Sequence, residues 1–221
     1  MNIMQLDAID PAEFVTSVQP LLEAQNPDAL LRLLESRWQC DQITALLKNP
    51  SSDVRKVACL ALALVGGSCC IKDLAAQLKH PDAMVNQMAE HALWSIWFRA
   101  ATFEANHELC CGTMALNKKN YDRATCHFSR AIELDPTFAE AFNQRAIVKY
   151  LQERYDESIE DCLCAIERMP CHFGAWSGMG HCYTQQGRFC EALECYSKAL
   201  EINPHFGGIR QAVSVLKQKL Q

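Results

Sequence analysis

The sequence has no long apolar stretch. Its longest uninterrupted apolar run, Val57 to Val65, is 9 residues, against the roughly 20 that a helix needs to cross a bilayer, so no membrane span is expected. It has no excess of positive charge either: 21 Lys and Arg stand against 26 Asp and Glu, a net charge of -5. A surface that tracks phosphates concentrates cations on one face, so nucleic acid is not an expected partner. The first residues hold Asp7, Asp10, Pro11 and Glu13, where a secretory leader would be basic and then apolar. A cytoplasmic location is expected. Signatures of catalysis are missing too: there is no GxxxxGK[ST], no GxGxxG after a strand, no HExxH and no GxSxG. The nearest approach, Gly178-Met179-Gly180, stands inside a helical pattern. Neither an enzyme nor a cofactor is expected.

Cysteine, by contrast, is abundant, with 13 in the chain. The number is odd and no leader accompanies it, which speaks against a disulfide framework and for free thiols packed as small hydrophobes. No CxxC pair occurs. His107, Cys110 and Cys111 share one helical face, but a closed zinc site wants four ligands, and no metal site is expected. The vicinal pairs Cys69-Cys70 and Cys110-Cys111, with Cys162-Leu163-Cys164, could be built into a thiol or zinc sensor, although neighbouring helical side chains diverge by about 100°.

Two internal periods organise the chain. Pro136, Pro170 and Pro204 stand 34 residues apart, and the same step aligns Ala131, Ala165 and Ala199; Ile132, Ile166 and Leu200; Glu133, Glu167 and Glu201; and Tyr121, Tyr155 and Phe189. Read from Phe173, the third unit offers Trp176, Met179, Gly180, Tyr183, Gly187, Phe189, Ala192, Tyr196, Ala199 and Pro204 in order. The first keeps Gly112, Tyr121, Ala124, Phe128, Ala131 and Pro136. The second keeps Phe142, Ala146, Tyr155, Ala165 and Pro170, with Ser158 and Cys162 at two of the columns. These units resemble the tetratricopeptide repeat family, in which each repeat is a pair of antiparallel helices, A and B. Proline ends each helix B because it lacks an N–H and forces the preceding residue out of helical geometry.

Upstream the period is 31. Ala45/Ala76, Leu47/Leu78, Lys48/Lys79, Pro50/Pro81, Val54/Val85, Ala58/Ala89, Ala61/Ala92 and Leu62/Leu93 are identical pairs. Each unit reads as a short helix, a proline turn and a longer helix capped by Ser52-Asp53 or Asp82, and resembles HEAT-like repeats of the bilin-lyase type. The second copy departs from that pattern at Asn86 and Glu90. The expected organisation is all-α, an α-solenoid of antiparallel helix pairs: capping helices over 1–40, HEAT-like repeats over 41–103, three tetratricopeptide repeats over 105–138, 139–172 and 173–206, and a solvating helix over 206–221. That last helix carries Ile209, Val213, Leu216 and Leu220 as one stripe.

The tetratricopeptide resemblance implies a concave groove lined by helix A residues at i, i+3, i+7 and i+10: Asn106, Leu109, Thr113 and Leu116; Glu140, Asn143, Ile147 and Tyr150; Gly174, Ser177, His181 and Thr184. It implies a non-enzymatic scaffold or adaptor that takes a peptide or partner protein there, or, alternatively, an accessory subunit of an enzyme complex. Members that hold chaperone C-terminal tails use a clamp of Lys, Asn and Arg. Here those positions are Leu109, Thr113, Gln144, Gly174 and Gly178, so chaperone tails are expected to be disfavoured. The acidic run Asp156, Glu157, Glu160 and Asp161 on the second helix B reads as a solvated face.

Overall fold

A computed structural model describes residues 8–220; Met1–Asp7, including the Asp7 weighed against a leader, and Gln221 lie outside the described residues. Every regular element among the described residues is helical. The chain divides at Ile96/Trp97 into two compact units.

The first unit holds α1 (Pro11–Glu23), α2 (Pro27–Arg37), α3 (Cys40–Ala45), α4 (Ser52–Val65), α5 (Ile71–Gln77) and most of α6 (Ala83–Trp97). Short 3-10 segments, Leu46–Lys48 and Ser68–Cys70, follow α3 and precede α5. Asp10 and Asn26 start the first two helices by accepting from the amides of Ala12 and Ala29, each with a proline in the first turn. The 31-residue columns fall into two physical classes. Leu47/Leu78, Val54/Val85, Ala58/Ala89, Ala61/Ala92 and Leu62/Leu93 are all buried, while Ala45/Ala76, Lys48/Lys79 and Pro50/Pro81 are exposed. The repeated residues are thus chiefly one core face written twice. Asp82 opens α6, its side chain accepting from Met84 N at 2.9 Å, but the cap expected at Ser52-Asp53 is not formed. Ser51 is the N-cap and makes no side-chain bond, and Asp53 pairs with Lys56, which also reaches Asp82 at 2.9 Å.

The second unit is a stack of three helix pairs and a final helix: α7 (Phe103–Asn117) with α8 (Tyr121–Leu134), α9 (Ala139–Leu151) with α10 (Tyr155–Arg168), α11 (Phe173–Gln185) with α12 (Phe189–Ile202), then α13 (Ile209–Lys219). Consecutive helices pack on one another along the whole series, as expected when each pair can bury its apolar face only against its neighbours. The residues before the three prolines, Asp135, Met169 and Asn203, all leave helical geometry, with ψ of 93°, 86° and 91°, in keeping with proline's exclusion of the α region at its predecessor. The A-to-B turns repeat as well. Lys119, Glu153 and Gly187, spaced by 34, take φ of 58°, 62° and 75°. In α13, Ile209 and Leu216 are buried and Val213 half-buried, while Leu220 is 49% exposed and leaves the expected stripe incomplete.

The core of this unit runs through the repeat columns. Ala124, Phe128 and Ala131 pack with Leu109 and Phe138; Cys162 packs with Ala146, Met179 and Cys182; Tyr196 and Ala192 pack with Ile209 and Leu216. Small residues on helix A permit the close approach. A Cβ on Gly112 would lie 2.5 Å from the Phe128 ring, and one on Gly180 would lie 2.6 Å from the Tyr196 ring.

Candidate peptide-binding groove

Helices α7, α9 and α11 carry the twelve groove positions, and the structure sorts them by burial. Leu109, Glu140, Asn143 and Ser177 are 5% exposed or less and so do not line an open groove. This corrects the expectation for these four. Leu109 belongs to the core under Phe128 and Phe138. The Ser177 hydroxyl donates to the carbonyl of Gly174 in its own helix, at 3.0 Å.

Glu140 and Asn143 form part of a buried polar cluster. Glu140 Oε2 lies 2.8 Å from His172 Nε2, with both side chains fully buried, and the carboxylate also accepts from Gln144 Nε2 at 2.7 Å and Asn143 Nδ2 at 3.3 Å. His172 Nδ1 accepts from Ala175 N at 3.1 Å and so caps α11. An accepting Nδ1 leaves Nε2–H as the donor to Glu140, and the ring links the first turn of α9 to the start of α11. Trp97 stacks on that ring at 4.3 Å and 17°, and also meets Phe173 at 5.2 Å. The requirement to satisfy a buried carboxylate therefore decides where Glu140 points.

Of the remaining positions, Asn106 is half-buried and spends its amide on the segment before α7. It donates to the carbonyls of Arg99 and Ala101 and accepts from Ala101 N. Thr113 is half-buried, its hydroxyl bonded to the carbonyl of Leu109; Leu116 packs at the core margin, and Gly174 is half-buried.

Ile147, Tyr150, His181 and Thr184 gather into one accessible patch on α9 and α11. Ile147 is 38% exposed. Tyr150 faces the Tyr155 ring at 5.7 Å and the His181 ring at 6.4 Å, and its hydroxyl accepts from Gln185 Nε2 at 3.2 Å. His181 Nδ1 lies 2.8 Å from the Tyr196 hydroxyl, which also contacts Thr184 Oγ1 at 3.2 Å. Burial of the inner edge of His181 pulls its pKa below the ordinary imidazole value. Gln185 escaped the i, i+3, i+7, i+10 reading because it follows Thr184 directly; its partner Tyr150 lies 35 residues away.

The charge arrangement beside this patch also departs from expectation. Asp161, read as part of a solvated acidic face, is 3% exposed. It accepts from Arg145 Nε and Nη2 at 2.8 and 2.7 Å and from Lys149 Nζ at 2.7 Å. The carboxylate raises the Arg145 pKa further. Asp156, Glu157 and Glu160 do reach the surface. The thiols are mostly packing groups: burial pushes Cys59 up to about 12 and Cys195 to about 11, and raises Cys162, the reverse of what a reactive thiolate requires. Cys111 Sγ lies 3.6 Å from His107 Nε2, but Cys110 does not join them in any cluster of three potential metal ligands among the described residues.

Residues 174–206 match the family model described as tetratricopeptide repeat. The chain is 30% identical over 109 residues to small glutamine-rich tetratricopeptide repeat-containing protein 2 of Mycosarcoma maydis, a match covering 49% of this chain and 31% of that protein. The chain therefore spans less than a third of that relative's length. Two solved structures superimpose on about half of it. The first TPR of Spaghetti (RPAP3) bound to HSP90 peptide SRMEEVD gives a TM-score of 0.52 at 20% identity, covering 53% of this chain and 93% of that one. The TPR2B-domain:pHsp70 complex of yeast Sti1 gives 0.51 at 22%, covering 53% and 99%. The chain carries tetratricopeptide repeats in an all-helical fold. These matches do not bear on the HEAT-like reading of the N-terminal pairs.

The neighbours overturn one expectation. Chaperone tails were expected to be disfavoured, yet one of these structures is bound to an HSP90 peptide and the other is a complex with pHsp70. The expectation rested on the side chains at Leu109, Thr113, Gln144, Gly174 and Gly178. Affinity for an extended peptide is concentrated in a few anchors that can lie elsewhere along a groove, so those five positions do not exclude an acidic tail.

Proposed function

We propose that this chain is a non-enzymatic cytoplasmic scaffold whose tetratricopeptide unit holds a peptide or partner protein on α9 and α11, with HEAT-like helix pairs in the first unit. The observation that carries this reading is the patch of Ile147, Tyr150, His181 and Thr184. It combines an aliphatic and an aromatic anchor with hydroxyl and imidazole edges, all on helices that buried networks hold rigid. A preorganised surface of this kind suits an extended segment with apolar side chains. The relatives and neighbours named above lend support, being repeat proteins of which one is bound to an HSP90 peptide and one is in complex with pHsp70. An acidic chaperone tail therefore belongs among the ligands to be tried.

The test compares wild type with an Ile147→Ala, Tyr150→Ala, His181→Ala variant, both checked by far-UV circular dichroism, in a lysate pull-down read by mass spectrometry. A synthetic peptide ending in EEVD is titrated alongside by calorimetry. The patch is supported if wild type captures proteins or peptide that the folded variant loses. Capture of the same set by both would place binding elsewhere.

A further inference from the structure

The first unit brings Cys40 together with the vicinal pair Cys69-Cys70, which begins 29 residues further on. Cys40 stands at the start of α3, and Cys69 and Cys70 in the 3-10 turn before α5. Cys40 Sγ and Cys69 Sγ are 3.7 Å apart, and all three sulfurs lie within 4.8 Å of one another. The cluster is graded in depth: Cys70 is fully buried, Cys40 half-buried and Cys69 exposed, so one side opens to solvent. A second, independent feature shapes it. A Cβ on Gly66 would sit 2.9 Å from Cys70 Sγ and 2.5 Å from the carbonyl of Leu62, so the missing side chain at Gly66 leaves the space that Cys70 occupies.

We propose that Cys40, Cys69 and Cys70 form a three-thiolate site for a thiophilic closed-shell cation, Cu(I) or Zn(II). Thiolate ligands at a metal–sulfur distance of about 2.3 Å stand roughly 3.8 to 4.0 Å from one another in tetrahedral or trigonal geometry, so the sulfurs need only small rotations to close on one ion. An all-sulfur donor set selects soft cations over Mg²⁺ or Ca²⁺. Binding replaces three S–H bonds by three metal–sulfur bonds and releases three protons, with no change in oxidation state. The exposed side of Cys69 is the entry path, and with Zn(II) it leaves a fourth position for water. A Cys40–Cys69 disulfide would use only two of the three sulfurs and would leave the space opened at Gly66 without a role.

The full chain, reduced with a non-thiol reductant and freed of metal, is titrated anaerobically in two arms: Zn(II) against a chromophoric competitor, and Cu(I) against a competing Cu(I) chelator. Co(II) serves as a spectroscopic probe, because thiolate-to-metal charge transfer counts sulfur ligands. The expected result is one ion per chain in at least one arm, with thiolate bands, and affinity reduced at least 100-fold in Cys69→Ser and in Cys40→Ser. Cys126→Ser and Cys190→Ser, which change exposed thiols elsewhere, should leave binding unaltered. Cys69 is exposed, so its variant keeps the fold, and a circular dichroism melt verifies this. The proposal is overturned if the wild type binds neither ion more tightly than micromolar, if Cys69→Ser binds as wild type does, or if thiol counting finds Cys40 and Cys69 joined in a disulfide. None of these outcomes bears on peptide capture by the second unit.

Discussion

The second tetratricopeptide repeat solves the packing problem differently from the first and third. In the outer two, a glycine on helix A faces an aromatic ring on helix B, Gly112 against Phe128 and Gly180 against Tyr196, with no room for even a methyl group. In the middle repeat both partners change: Ala146 stands for the glycine, Cys162 for the ring and Ser158 for a small apolar residue. The gap is closed by polar contacts, the Ser158 hydroxyl donating to the carbonyl of Ala146 at 2.8 Å and Cys182 Sγ to Ser158 Oγ at 3.2 Å. The middle repeat also carries the ionic network around Asp161. The columns of a repeat are thus coupled volumes, and a departure at one is legible only together with its partner.

The largest effect expected from breaking this contrast is at Asp161. Asp161→Ala strands the Arg145 and Lys149 cations, which are 20% and 11% exposed at their side chains. It should cost about 3–5 kcal/mol, read as a lower urea midpoint by circular dichroism. Next come the glycines. Gly180→Ala or Gly112→Ala should destabilise by about 1–3 kcal/mol through overpacking against the ring, although alanine is otherwise the better helix former. Cys162→Phe should cost a similar amount alone, and Ala146→Gly should recover part of it. A double-mutant cycle with no coupling between 146 and 162 would refute the account of paired volumes.

A smaller effect lies in the turns. A left-handed residue other than glycine costs about 1–2 kcal/mol, against about 0.5–1 kcal/mol for the extra freedom glycine loses. Glu153→Gly should therefore stabilise by about 0.5–1 kcal/mol, whereas Gly187→Ala should destabilise. Smallest is a titration. His181 should show a folded-state pKa below about 6.5 by NMR. A depressed imidazole pKa means that the unfolded chain binds the proton more readily. The contribution of His181 to stability is then complete above the unfolded pKa and declines as pH falls through it toward the folded value.

Much of the second unit could be read from sequence because its signals are periodic and local. Prolines end the B helices, small residues mark the A–B contacts, and Ala131, Ala165 and Ala199 fall on the buried face. The site was less legible, because its decisive contacts are neither. Nothing near Glu140 in sequence announces His172, 32 residues on, and without that partner a carboxylate on helix A reads as a groove residue. Asp161 looked solvated among acidic neighbours for the same reason, since its cations lie on the preceding helix. Cys40 is 29 residues from Cys69 and follows no metal-binding spacing, so only the fold brings the three sulfurs together.

The Glu140–His172 bridge has a consequence for how freely the repeats could be rearranged. One step back along the period the same two positions are Asn106 and Phe138, and one step forward they are Gly174 and Phe206; Phe206 packs edge-on against Phe173 at 4.9 Å. Each repeat thus carries its own pair. Because Glu140 and His172 both lie within 139–172, an array that moved this stretch whole would carry the pair with it, whereas a cut made just ahead of His172 would part the carboxylate from its partner. The movable module is therefore the full stretch 139–172, and its closing boundary is set by a single buried hydrogen bond from its last residue back to its first turn.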